Sequence, residues 1–296
     1  MSMCATIRAR QDAERTATVD SSTRALVARL ERAEAVASAS IYRDGAQGGI
    51  DAVGAHETSI AGAALTALSA IDSGFFNRVV GLGSQGAVAA ADVEAVSDWF
   101  RSLGLGESMI QVPSEVMTPE LATWLGDAGY QQGRNWVKLW HPLDDIRDAD
   151  TSLRIAQIGP DEADAFASIV VDAMEFPNEV LPLAAAPVGV YGWRHYMGYD
   201  GETPVAAAAM FVDGDTAWFG FGATREAARG RGGQSALFSA RLRDARALGC
   251  TLAVTETGEE TPEDPVNPSY RNMLRSGFTL AYARPNWVRR EAPPGP

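Results

Sequence analysis

The chain is almost without lysine: of its 25 basic residues only Lys138 is one, and the others are arginines. It has two cysteines, Cys4 and Cys250, and three histidines, His56, His141 and His195. Thiols and imidazoles this few and this scattered exclude a disulfide framework and give no metal-ligand spacing. Long hydrophobic runs are missing too. Residues 1–22 lack an apolar signal-peptide core, and nowhere do 18 apolar residues follow one another. A cytoplasmic protein with no membrane partner is expected. Positive charge is in short supply: the net charge is −13, residues 1–150 carry 12 basic and 20 acidic residues, and the remainder 13 and 18. Neither half is a basic arm, so nucleic acid is not an expected partner.

What is present points to a globular protein. Hydrophobic residues make up 46% of the 296 positions and charged residues 21%, which excludes disorder and suits two domains of ordinary size. The polar stretch His141–Ser152 reads as a linker, so domains over 1–145 and 146–296 are expected. Ser21–Ala39 reads as a helix with Leu26, Leu30 and Ala33 on one stripe. Strands are expected near Thr58–Leu68, Asn77–Leu82, Met109–Val112 and Trp136–Trp140, with helices over Asp92–Leu103 and Pro119–Ala128.

In the second half, Leu153–Ile158 reads as a strand and Pro160 opens a helix to about Met174. An irregular, proline-bearing stretch over Glu175–Val190 follows. Trp193–Tyr199, Pro204–Val212 and Thr216–Phe221 read as antiparallel strands joined at Asp200-Gly201 and Asp213-Gly214. A helix is expected over Gln234–Leu248, a strand over Thr251–Thr257, a short helix over Pro268–Ser276, and closing strands at Phe278–Ala283 and Asn286–Arg289.

The two halves repeat one order of elements. The first runs G-L-G, helix, Leu103-Gly104, strand, helix, Gly129-Tyr130, strand. The second runs G-F-G, helix, Leu248-Gly249, strand, helix, Gly277-Phe278, strand. Gly81 to Gly104 is 23 residues, whereas Gly220 to Gly249 is 29. The extra residues fall at Arg229-Gly230-Arg231-Gly232-Gly233-Gln234-Ser235, between a strand and a helix. A glycine-rich helix start exposes unpaired N–H groups at the positive end of the helix dipole, and arginines pair with phosphate oxygens. An anion-binding loop is expected there.

This loop resembles the R/Q-x-x-G-x-G/A signature of the GNAT superfamily of acyl-CoA-dependent N-acyltransferases. It reads Arg229-x-x-Gly232-x-Gln234, with Gln234 where the pattern has a small residue. The resemblance covers about Leu153 to Val288, and the first half looks like a degenerate copy without the arginine or the loop length. The implied fold is α/β (α+β): two tandem GNAT-like domains, each a mixed, mostly antiparallel sheet flanked by helices. The implied co-substrate is acetyl-CoA, with no metal. Its pyrophosphate would lie on Arg229 to Ser235 and its pantetheine along Phe221, Gly222, Ala223 and Thr224. Arg271 and Asn272 match polar positions of the downstream helix that flanks the CoA arm.

The implied reaction is direct attack of a primary amine, on a small molecule or a peptide, upon the thioester. Glu256, late in its strand, is the candidate general base, with an exposed strand-end carboxylate as the alternative. The tyrosine acid frequent in the family falls at Met273. Tyr270, three residues earlier, is the candidate acid, with packing or a surface phenol as the alternative. His195 beside Trp193 reads as a hydrogen-bonded structural histidine, with contact to the substrate as the alternative. A CoA-binding or interaction protein without turnover remains the second reading, and a monomer or a homodimer the expected state. Gly81-Leu82-Gly83-Ser84-Gln85-Gly86 has the form of a dinucleotide fingerprint but lacks the acidic residue that should end the next strand.

Overall fold

The computed structural model describes residues 21–43, 53–262 and 264–291. Cys4 and the start of the chain lie outside them. Helix α1 (Ser21–Arg43) precedes the hairpin β1 (Ala55–Ile60) and β2 (Ala63–Leu68). Then come β3 (Arg78–Val80), α2 (Ala90–Ser102), β4 (Glu107–Gln111), α3 (Pro119–Asp127) and β5 (Gln131–His141). The second half runs β6 (Arg154–Ile158), α4 (Ala163–Ala173), α5 (Leu181–Ala185), β7 (Trp193–Asp200), β8 (Thr203–Asp213) and β9 (Thr216–Thr224). It ends with α6 (Gly233–Ala247), β10 (Leu252–Gly258), α7 (Pro268–Arg275) and β11 (Thr279–Arg290).

All eleven strands join one sheet, in the order β1-β2-β3-β4-β11-β5-β10-β9-β8-β7-β6. Only β3–β4 and β9–β10 are parallel. The fold is therefore a mixed, mostly antiparallel sheet flanked by helices, not the doubly wound parallel sheet that a dinucleotide fingerprint at Gly81–Gly86 requires. The closing strands are exchanged. Strand β5, from the first half, pairs with β10 of the second, while β11, from the second half, lies between β4 and β5. The two closing strands expected at 278–283 and 286–289 are one strand, with register shifts at Leu280/Tyr282 and Pro285/Trp287. The strand expected over 58–68 is a hairpin folded at Ala61 (φ +49°) and Gly62 (φ +76°).

The pleat divides the core. Trp218 and Val254 face α1, α4 and α5, whereas their neighbours Phe219 and Ala253 face α6 and α7. In the first half Ala64 and Val80 meet α1, and Leu65 and Val79 meet α2 and α3 on the other face.

Helix α1 departs from the expected stripe. Leu30 and Ala33 are buried as the spacing requires, but so are Glu31 and Glu34, each 0% exposed. These carboxylates meet Arg284 of β11 and Lys138 of β5, strands the sheet order brings under the helix. Buried carboxylates persist only when paired and hydrogen-bonded. Here Tyr282 adds a hydroxyl donor to Glu31 at 2.8 Å.

Candidate active site

Strands β9 and β10 pair over three positions only, Thr216↔Leu252, Ala217↔Ala253 and Trp218↔Val254. Beyond Trp218 they part: β9 stays with β8, and β10 stays with β5. A cleft of about 1000 Å³ opens between them, reaching from α6 and α7 on one side to α1, α4 and α5 on the other.

A bulge in β9 shapes this opening. The register with β8 steps from Ala209↔Gly220 to Ala207↔Ala223, so β9 holds one residue more, and Phe221 sits at φ +56°. A left-handed phenylalanine is uncommon and persists only where its surroundings hold it. Two side chains of α6 provide that hold. Gln234 donates from Nε2 to the carbonyls of Ala223 (2.7 Å) and Ala207 (3.3 Å) and to Thr224 Oγ1 (2.9 Å). Arg241 donates to the carbonyls of Ala209 (3.0 Å) and Gly220 (3.4 Å) while its guanidinium lies against Phe219 and Phe238. Burial pulls the Arg241 pKa down to about 9, which leaves it charged at neutral pH. The side chain of Gln234, which stands where the signature has a small residue, is thus a brace for the bulge.

At the start of α6, Gly232 is the N-cap at φ +76° and offers no capping side chain. The first N–H groups of the helix, from Gly233, Gln234 and Ser235, therefore lack an intrahelical partner and lie beside the cleft. A Cβ on Gly232 would stand 2.1 Å from the Asp150 carbonyl, so glycine is required there. Arg229 lines the cleft and donates to the Thr224 carbonyl at 3.2 Å. Arg231 points elsewhere: it pairs with Asp200 through bonds of 2.6 and 3.0 Å and donates to Ser152, outside the cleft lining.

The remaining expected residues divide in the same way. Phe221, Gly222, Ala223, Thr224, Gly230 and Asn272 line the cleft, as does Met273. Helix α7 is started by Pro268 and by Asn267 Oδ1, which accepts from the amides of Ser269 and Tyr270. Tyr270 packs against the core beneath α6 rather than lining the cleft, which leaves it badly placed for the acid role. Arg271 is tied to Glu260 (2.8 Å) and to the Pro265 carbonyl (2.7 Å), also outside the lining. His195 is buried and stacked on Trp193. Burial lowers its pKa to about 3, and Nε2 has no hydrogen-bond partner, so the expected bond is missing at that atom.

Glu256 is not an exposed strand end. It faces α1, accepts from Trp218 Nε1 at 3.0 Å and from Lys138 Nζ at 3.3 Å, and lines the cleft. Burial raises its pKa and the nearby Glu34 raises it further; Lys138, Arg284 and Arg78 offset part of that. For Glu34 burial also works upward, but Arg284, Lys138 and Arg78 outweigh it and hold this carboxyl well below the usual range. Two neighbouring carboxyls are thereby pushed apart, one fixed as an anion and the other ready to take a proton.

Several cleft residues come from the first half and carried no motif in the sequence. Ser38 and Tyr42 of α1, Phe75, Phe76 and Arg78 around β3, and Trp136 of β5 all line it, with Arg275 of α7 on the other side. Ser38, Arg78 and Trp136 fell within expected elements, but nothing local placed them at the cleft, and the position of Trp136 beside β10 depends on the strand exchange. Among the described residues no group of three or more His, Cys, Asp or Glu side chains could hold a metal, and no helix is long and apolar enough to cross a membrane.

No protein-family model matches the chain, and a search of curated proteins finds no match. Solved structures do match. A GCN5-related N-acetyltransferase from Kribbella flavida has a TM-score of 0.59 at 16% identity, over 88% of this chain and 96% of that one. One from Sphaerobacter thermophilus gives 0.54 at 14%, over 72% and 71%. A tandem GNAT protein from the clavulanic acid biosynthesis pathway gives 0.51 at 15%, over 88% and 96%.

Proposed function

The chain has the fold of the GNAT acetyltransferases in tandem form, and from that premise we propose that it moves an acetyl group from acetyl-CoA to a primary amine. The observation that carries the reading is the parting of β9 and β10 at the Phe221 bulge, beside an uncapped helix start. In this reading residues 146–296 bind CoA and residues 1–145 form a copy without a phosphate loop that walls the acceptor side.

Arg229 and the amides of Gly233, Gln234 and Ser235 would receive the pyrophosphate. The bulged backbone from Phe221 to Thr224 would meet the pantetheine amides, with the Ala223 carbonyl already shared with Gln234. The amine must first lose a proton, which for an alkyl amine of pKa about 10.4 costs roughly 4.6 kcal/mol at pH 7. Glu256 takes that proton. The neutral amine nitrogen then attacks the thioester carbonyl, the C–S bond breaks, CoA leaves as thiolate, and the attacking nitrogen sheds its second proton. Met273 stands at the tyrosine position and Tyr270 lies outside the cleft lining, so the thiolate takes, through water, the proton shed by the attacking nitrogen, and the proton on Glu256 returns to solvent.

Those two placements also favour the second reading, CoA binding without turnover. Thiol release from acetyl-CoA across a panel of amines separates the two. Calorimetric CoA binding with no release for any amine would establish the second.

A further inference from the structure

The acceptor side of the cleft carries groups that amine attack alone does not use. Arg78 is one. Its side chain is 14% exposed and lines the cleft, yet among the described residues its guanidinium makes no hydrogen bond. Its contacts are an ion pair with Glu34 at 3.7 Å and the face of Phe75 at 5.9 Å. Five N–H donors that open on the cleft without a hydrogen bond, with Glu34 3.7 Å away, are a site for an anion. Ser38 is the second. Its hydroxyl is buried, lines the same side, and has no partner. A buried hydroxyl is seldom left unpaired without a ligand to meet it.

The third feature is an aromatic wall. Phe75 lies 5.0 Å from Phe176 and 6.0 Å from Trp136, and Phe76 lies 5.2 Å from Phe176, all as ring centroids. These rings come from three separate segments and converge on the cleft. Glu34 joins the polar groups together: one of its oxygens faces Arg78, and the other is bonded to Lys138, which also reaches Glu256. The anion site and the base thus stand on either side of one carboxylate.

A molecule that suits all three features carries an amine, an anionic group on the same side of the cleft, and a flat apolar body. We infer that the acceptor is a free α-amino acid with a large aromatic side chain. Its amine meets Glu256, its carboxylate meets Arg78 and Ser38, and its ring lies against Phe75, Phe176 and Trp136. The inference rests on the acyl-transfer reading for the reaction, but not for the binding. Polyamines lack the anion, and a peptide N-terminus has no free carboxylate at that position.

The test takes the full chain and acetyl-CoA and follows thiol release. L-phenylalanine and L-tryptophan are compared with phenethylamine and tryptamine, which lack only the carboxylate, and with spermine. The expected result is a KM for each amino acid at least about tenfold below that of its amine. Arg78→Ala should raise the KM for phenylalanine at least about tenfold more than it raises that for phenethylamine. Arg78→Lys keeps a charge beside Glu34 and should fall between, which guards against a folding defect in the alanine variant. Equal use of the amino acids and their amines, or an Arg78 substitution that harms both alike, overturns the inference. Turnover confined to spermine overturns it and leaves the acyl-transfer reading standing. If no amine releases thiol, that reading fails, and the change in Trp136 and Trp218 fluorescence on titration with L-phenylalanine decides the inference by itself. A saturable change that Arg78→Ala abolishes supports it, and a flat titration overturns it.

Discussion

Lys138 and Glu256 are direct partners across the β5–β10 ladder, and Lys138 Nζ donates to Glu256 Oε2 at 3.3 Å. The only lysine of the chain thus lies, 0% exposed, between the candidate base and the buried Glu34. Lys138→Met should leave these carboxyls short of a cation. Removing one partner of a buried ion pair costs about 3–5 kcal/mol, so the urea midpoint should fall sharply, with Lys138→Arg recovering part of the loss.

The raised pKa of Glu256 has a kinetic consequence. A general base acts when deprotonated, so kcat/KM should climb with pH through a value above the ordinary 4.5 of a glutamate. Glu256→Gln should lower kcat by about 10²- to 10⁴-fold and remove that limb from the pH profile.

The same group affects stability with a defined sign. Its folded pKa is raised, so its contribution is fully present below about pH 4.5 and is lost as pH rises through the folded value. Glutamine mimics the protonated form. Glu256→Gln should therefore gain stability relative to the parent as pH increases, and the two denaturation curves should converge in acid.

The two arginines of the loop should separate in a calorimeter. Arg229 lines the cleft and Arg231 is held by Asp200. Arg229→Ala should weaken CoA binding about tenfold, and Arg231→Ala by less than about twofold. The reverse order would falsify the placement of the pyrophosphate on the Arg229 side.

Gly232 combines a left-handed backbone with the Asp150 carbonyl in the space a Cβ would take. For Gly232→Ala the backbone angle alone costs about 1–2 kcal/mol, and the overlap must also move the loop. A lower melting temperature and weaker CoA binding should appear together. Gly230→Ala has a positive φ but open space around it, so it should lose less.

Much of this was legible in the residues. The loop before α6, the stops at Gly249 and Gly277, and the hairpins through Gly201 and Gly214 are local features, set by backbone freedom that only glycine has. The hairpin at Ala61-Gly62 was not legible, because an alanine takes the positive φ that asparagine or aspartate usually signals. Nor was the α1 side of the cleft. Glu34 looks like part of a solvated helix face until Lys138, 104 residues away, and Arg284, 250 residues away, are placed beneath it. Arg78 and Ser38 belong to no motif. They matter because α1 crosses the sheet where the halves join, a relation that no local spacing encodes.

The exchange of closing strands also sets the order in which the molecule can be completed. Strand β11 occupies the slot between β4 and β5, so those two earlier strands never meet. Without residues 279–290 the edges of β4 and β5 that β11 covers have no partner strand. Glu31 and Glu34 find Lys138 within the first half but gain Arg284 only from β11. The first half thus depends on a strand of the second for its sheet and for part of the charge balance of α1, a long-range closure of the kind that slows folding.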